Sequence, residues 1–167
     1  MSCNHEVDVS KRRLFRSLAK PSISEPITPR AAGRPPYAVD EALFVRECDG
    51  CALCVAACDK GLISIENQLA SLDVTYSACD QCGACQNVCP TLALANPAGK
   101  TGLCASVANS CENLIGYCDS CEQACPHGFL TWQASGKPVI DVQGCLGCGA
   151  CAGECYTQTI TLGIARR

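Results

Sequence analysis

The chain of 167 residues has a formal net charge of −3 and carries 18 cysteines beside only eight aromatic residues. Large side chains are too few to let each half fold by hydrophobic burial alone, and no apolar run reaches membrane-spanning length. An acidic balance also argues against nucleic acid as a partner, since phosphate contacts need a surplus of cations.

Residues 1–47 hold eight of the thirteen Lys and Arg and five of the nine prolines. Val9 to Leu18 reads as a short basic amphipathic helix with Ser10 as its N-cap. Pro21, Pro26, Pro29, Pro35 and Pro36 then impose an extended linker, and residues 20–36 read as solvated. Arg12-Arg13-Leu14-Phe15 has the form of a twin-arginine export core. Such a signal needs an apolar segment next, however, and Lys20-Pro21 and further polar residues follow. Export by that route is not expected. The expected location is cytoplasmic, where reducing conditions suit this many thiols. Cys3 and His5 receive no role.

From residue 48 onward five cations face ten anions, and the cysteines dominate. Cys48, Cys51, Cys54 and Cys58 form a C-x2-C-x2-C-x3-C run. Cys79, Cys82, Cys85 and Cys89 repeat it, as do Cys145, Cys148, Cys151 and Cys155. This is the bacterial ligand pattern for 4Fe-4S clusters, in which three thiolates hold one cluster and the fourth reaches its neighbour. Adding 67 to Cys51, Cys54 and Cys58 gives Cys118, Cys121 and Cys125, and adding 66 to the second run gives the last. Gly61 maps in this way to Gly128, Gly83-Ala84 to Gly149-Ala150, and Thr91 to Thr157. A fixed period of this kind marks an internal duplication.

The partner of Cys48 falls on Ile115, so the third site lacks its first thiolate. Cys111 is the expected replacement because its loop is shorter and costs less to close. Cys104 is the competing candidate. With neither, the third site would hold a three-iron cluster or none.

Between the runs, Leu62–Ile65 and Leu72–Tyr76 read as paired strands, as do Phe129–Trp132 and Val139–Val142. Short helices are expected over 55–60, 86–91, 122–127 and 152–156, with a last strand at Thr159–Leu162. Trp132, Tyr76 and Tyr156 are expected to pack against clusters and hairpins, since aromatics are strong core fillers. His127 is expected on a solvent-facing helix position. Gly50, Ala52, Gly83, Ala84, Gly147, Gly149 and Ala150 are small where backbone N–H groups must approach sulfide.

The expected fold is α+β: two tandem bacterial-type 2[4Fe-4S] ferredoxin-like modules at 41–100 and 101–167, behind a basic, proline-rich arm over 1–40. Four 4Fe-4S clusters are expected to supply much of the folding free energy, leaving the iron-free chain largely disordered. Disulfides are a poor alternative, because cysteines two residues apart on a tight loop do not pair well. Structural zinc is the stronger rival, although zinc sites usually pair two C-x2-C units. No nucleophile–base constellation, phosphate loop or substrate motif stands out, and an enzyme is not expected.

Several features together resemble the NapF family of ferredoxin-type proteins. They are the Ser10-Lys11-Arg12-Arg13 start, the Arg34-Pro35-Pro36-Tyr37 linker and the Phe44-to-Cys58 entry into the first run. The irregular third site, Cys111 then Cys118-x2-Cys121-x3-Cys125, completes the likeness. Asp59 departs from the pattern, standing where proline often follows the fourth cysteine, and leaves the ligand set intact. The resemblance implies a cytoplasmic accessory protein that binds the precursor of the periplasmic nitrate reductase catalytic subunit. It would assist that subunit's maturation, by cluster loading or reduction, before export. The alternative from another class is a polyferredoxin electron carrier in a respiratory or other redox chain.

Overall fold

The computed structural model describes residues 30–165, so the basic helix expected at Val9–Leu18 lies outside the described residues. The short elements run α1 (Glu41–Glu47), α2 (Leu53–Ala56), β1 (Ile63–Glu66), β2 (Leu69–Leu72), α3 (Ala84–Asn87), β3 (Leu103–Val107), β4 (Leu130–Thr131), β5 (Val139–Ile140), α4 (Ala150–Gly153) and β6 (Ile160–Ile164). Single 3-10 turns lie at Leu92–Leu94 and Glu112–Leu114. Three two-stranded antiparallel sheets result, pairing β1 with β2, β3 with β6, and β4 with β5.

Two buried apolar cores form. The first gathers Ala38, Phe44, Leu62, Ile63, Ala70, Leu72, Val74, Ala93 and Leu94. The second is much smaller, with Ala105, Leu130 and Ile160 around Cys121. Cysteines pack against both, which is what a chain short of large side chains must use instead.

Gly33 to Pro36 are buried, contrary to the solvated linker expected through residue 36. The cause is a cation that sequence patterning cannot place. Arg34 lies inside the first core, 2.6 Å from the equally buried Glu41 carboxylate, donates to the Ala70 carbonyl, and sits 4.8 Å from the Phe44 ring centroid. A buried charge is tolerable only when paired and hydrogen-bonded in this way. α1, unforeseen in the sequence, carries Glu41 and Phe44 to this point and is capped by the Asp40 side chain, which accepts from the Leu43 N–H; a capped first turn stabilises so short a helix.

The first hairpin is tighter than expected. Asn67 and Gln68 take φ of 51° and 62°, and β2 begins directly after them at Leu69. Two consecutive left-handed residues make the turn whose twist matches a two-residue hairpin. The second strand therefore ends at Leu72, where the sequence suggested it would start. Beyond it, Val74 is buried while Tyr76 is 95% exposed, so the packing role expected of Tyr76 does not hold.

The halves meet at Thr101, which is fully buried. Its N–H donates to the Leu146 carbonyl at 3.1 Å, and its hydroxyl lies 3.0 Å from the carbonyls of both Leu146 and Gly147. Thr101 also accepts from the Arg34 N–H and the Arg30 guanidinium through its own carbonyl. Residues 30–34 thus touch the first core and the second half together.

Candidate metal centres

Three hollows are each walled by four cysteines, and in each the fourth comes from a different run. Cys48, Cys51 and Cys54 share one with Cys89. Cys145, Cys148 and Cys151 share another with Cys125. Cys111, Cys118 and Cys121 share the third with Cys155. The remaining set is Cys79, Cys82 and Cys85 with Cys58, whose thiol acts electrostatically on Cys79. The crossing has a local cause. In each regular run the third cysteine lies within a single helical turn, and the fourth follows the end of that turn, on the side of the neighbouring set.

The turns start from backbone that only certain residues adopt easily. Ala52, Gly83 and Gly149, each directly after a second cysteine, have φ of 62°, 79° and 88° and cap the turns without a side chain. Asp49 and Asp80 brace the loops just before, accepting from the Cys51 and Cys82 N–H groups at 3.1 and 3.2 Å. The third set departs from this plan. Its equivalent of Ala52 is Asp119, and the expected helix over 122–127 is replaced by isolated turns. Entry is instead by the 3-10 turn after Cys111, and Asn113 fastens the enlarged loop. The Asn113 side chain accepts from the Cys118 N–H and donates to the Gln133 and Gly136 carbonyls, at 2.7 to 3.1 Å.

Cys104 lies away from that hollow, beside Cys145 of the fourth set. Burial and the Cys145 sulfur push its thiol up to about 11. Of the two candidates weighed from the sequence, only Cys111 stands with Cys118 and Cys121.

The duplicated positions outside the cysteines also act alike. Gly61 and Gly128 follow the fourth cysteines of their runs with φ of 63° and 73°, each returning an N–H to the carbonyl of Cys58 or Cys125. The Thr91 hydroxyl lies 3.6 Å from Cys89 Sγ and the Thr157 hydroxyl 3.5 Å from Cys155 Sγ. Thr159 adds a second hydroxyl at Cys155, and the Phe129 N–H donates to Cys125 Sγ. Such bonds stabilise charge on sulfur and tune a metal site. Burial raises the Cys155 thiol, but the Thr157 and Thr159 bonds outweigh it and bring the group down to about 7. At Cys85 and Cys151 burial dominates instead, pushing them up to about 11 and about 12.

Trp132 packs as expected, its indole donating to the Cys118 carbonyl and its ring meeting Tyr117 edge-on at 5.9 Å. Tyr156 does not pack: it is exposed and its phenol donates to Glu112. His127 is exposed, as expected, but in a turn at the margin of the hollow that Cys125 shares with Cys145, Cys148 and Cys151, stacked on Phe129.

The sets touch in the order first, second, fourth, third. Cys54 of the first acts on Cys85 of the second. The Cys79 N–H of the second donates to the Cys148 carbonyl of the fourth at 2.8 Å. The fourth and third sets exchange Cys125 and Cys155.

All-thiol donor sets walling a hollow suit a soft, iron–sulfide group held on several sides. Among the described residues, no three His, Cys, Asp or Glu side chains gather as closely as a single metal ion requires. The comparison with known families agrees with the donor chemistry. The model of the 4Fe-4S dicluster domain matches residues 47–93 and again 116–159. The chain belongs to the 4Fe-4S dicluster domain family. It is homologous to the ferredoxin-type protein NapF of Escherichia coli, at 29% identity over 77% of this chain and 82% of that protein. An uncharacterized protein of Haemophilus influenzae is 38% identical over 92% of this chain and 90% of its own length. The methylamine utilization ferredoxin-type protein MauM of Paracoccus denitrificans is 29% identical, over 84% of this chain and 74% of its own. The chain is thus an iron–sulfur, ferredoxin-type protein, and among the described residues no helix is long and apolar enough to cross a membrane.

Proposed function

We propose that this chain is a cytoplasmic accessory protein that binds the precursor of the periplasmic nitrate reductase catalytic subunit. In this reading it assists that subunit's maturation, by cluster loading or reduction, before export, and is not itself an enzyme. Two tandem ferredoxin modules at 41–100 and 101–167 would carry four 4Fe-4S clusters. The ligand sets are Cys48, Cys51, Cys54 and Cys89; Cys79, Cys82, Cys85 and Cys58; Cys111, Cys118, Cys121 and Cys155; and Cys145, Cys148, Cys151 and Cys125. When bound, the clusters supply one-electron redox chemistry, while the chain's hydroxyls and amides set the charge each thiolate carries.

The irregular third site carries the reading. Regular runs occur in many ferredoxins, whereas Cys111 displaced from the Cys48 register is shared with the NapF pattern named above. Two observations support it: Cys111 lines one hollow with Cys118, Cys121 and Cys155, and Arg34 and Pro35 are buried.

The order of the four sets favours a second reading, an electron carrier, because neighbours in a line relay electrons. One experiment separates the two. Deleting residues 1–29 removes none of the residues described above. We expect the shortened chain to bind the unexported reductase subunit more weakly, because the basic arm adds to the contact, while still passing electrons to a soluble acceptor. Full-length protein that shows no affinity for that subunit would refute the accessory reading and leave the carrier.

A further inference from the structure

At the third set, the loop between Cys111 and Cys118 is exposed along most of its length. Ile115, at the position where the other runs place their first thiolate, is 92% exposed, with Leu114 half-exposed beside it. Tyr117, 69% exposed, adjoins them in the chain, and Tyr156, 65% exposed, is brought to the same loop by its bond to Glu112. Both are fixed: Tyr117 rests on Trp132 and bonds to Asp119, while Tyr156 bonds to Glu112. Rigid aromatic and aliphatic groups standing in water are the usual anchors of protein interfaces. The surroundings are acidic throughout. Residues 101–136 contain no Lys or Arg, whereas Glu112, Asp119 and Glu122 edge the patch. Of the two lysines that bound this stretch, Lys137 is taken up by the Val107 carbonyl and Asn109, and Lys100 by the Gln143 carbonyl. The third set also stands at one end of the line of four.

We propose that the Leu114–Ile115–Tyr117–Tyr156 patch is the face on which this chain docks a protein partner whose own apolar patch is bordered by Lys and Arg. An apolar centre inside a charged rim excludes water from the contact, and the rim selects a basic partner and speeds encounter. The assignment rests on the accessory reading only in taking the reductase precursor as the natural occupant.

The test uses full-length, anaerobically purified protein with its clusters. Ile115→Ser removes the exposed anchor, Glu122→Lys reverses a rim charge, and Val45→Ser changes an exposed apolar side chain of α1 as a control. Iron content should be equal in all. Binding of the reductase precursor should fall roughly tenfold in Ile115→Ser, as for an interface anchor. It should fall and lose salt sensitivity in Glu122→Lys, and stay unchanged in Val45→Ser. Wild-type protein that binds the precursor while both patch variants bind equally well would overturn the docking face and spare the accessory reading. A synthetic Leu/Lys amphipathic peptide, bound more tightly by wild type than by Ile115→Ser, supports the face whatever becomes of that reading. Equal binding of the peptide by both would overturn it. Self-association abolished by Ile115→Ser would make a second copy the occupant and overturn the basic partner.

Discussion

At the scale of single residues, the third set turns on one sulfur. Replacing Cys111 with Ala should lower the iron content, while Cys104→Ala should keep the full complement. Iron and sulfide analysis with visible absorption reads the difference; iron lost only in the Cys104 variant would reverse the assignment. The choice between these cysteines was made in the sequence from loop length alone, a small entropic margin. The structure shows a firmer reason: Cys104 belongs to β3, whose pairing with β6 carries it toward Cys145. The sulfur-facing hydroxyls were half visible, because Thr91 and Thr157 share the repeat. Asn113 was not. Its three side-chain bonds reach residues as far as Gly136, and no local pattern announces a long-range polar fastener.

At the scale of elements, small residues around the cysteines were legible because the ligand loop demands them, but their several reasons were not. Gly149 is left-handed and also meets Val74; Gly147 is left-handed at φ 70° and wedged into the junction. A Cβ on Gly147 would lie 2.2 Å from the Thr101 hydroxyl and 2.4 Å from the Leu103 carbonyl. Gly147→Ala should therefore destabilise the holoprotein by about 2 kcal/mol or more, from backbone strain and overpacking together. Gly153→Ala, which meets nothing within 4 Å in α4, should be neutral or slightly stabilising. Denaturation followed by loss of cluster absorbance compares the two. The helices begin two residues earlier than the sequence suggested, because the left-handed residue before each one acts as a cap that side-chain rules do not see. α1 and β3 escaped notice for another reason. Their apolar positions, such as Phe44 and Ala105, are too few to set up a period.

At the scale of the whole molecule, proton balance governs assembly. Burial holds Cys85 near 11 and Cys151 near 12 in the metal-free chain, so both are protonated at neutral pH. Iron binds thiolate, and these protons must leave as clusters form. Bound metal therefore depresses the pKa of each ligand, giving a stabilisation that is present at high pH and is lost as pH falls. Reconstitution with iron and sulfide should accordingly yield less at about pH 6 than at about pH 8.5, read by absorbance per chain; a yield independent of pH would contradict the protonated thiols. The duplication made the two halves readable from cysteine offsets. Their junction was not, since Thr101, Gly33 and Arg34 carry no signature in isolation. The exchange of the fourth cysteines has an effect beyond geometry. On the four-cluster reading, oxidation of any one centre sets free a sulfur belonging to its neighbour's peptide loop. Damage and repair would then proceed by twos, one half of the molecule at a time, and a population starved of iron would contain filled halves and bare halves rather than chains uniformly half-loaded.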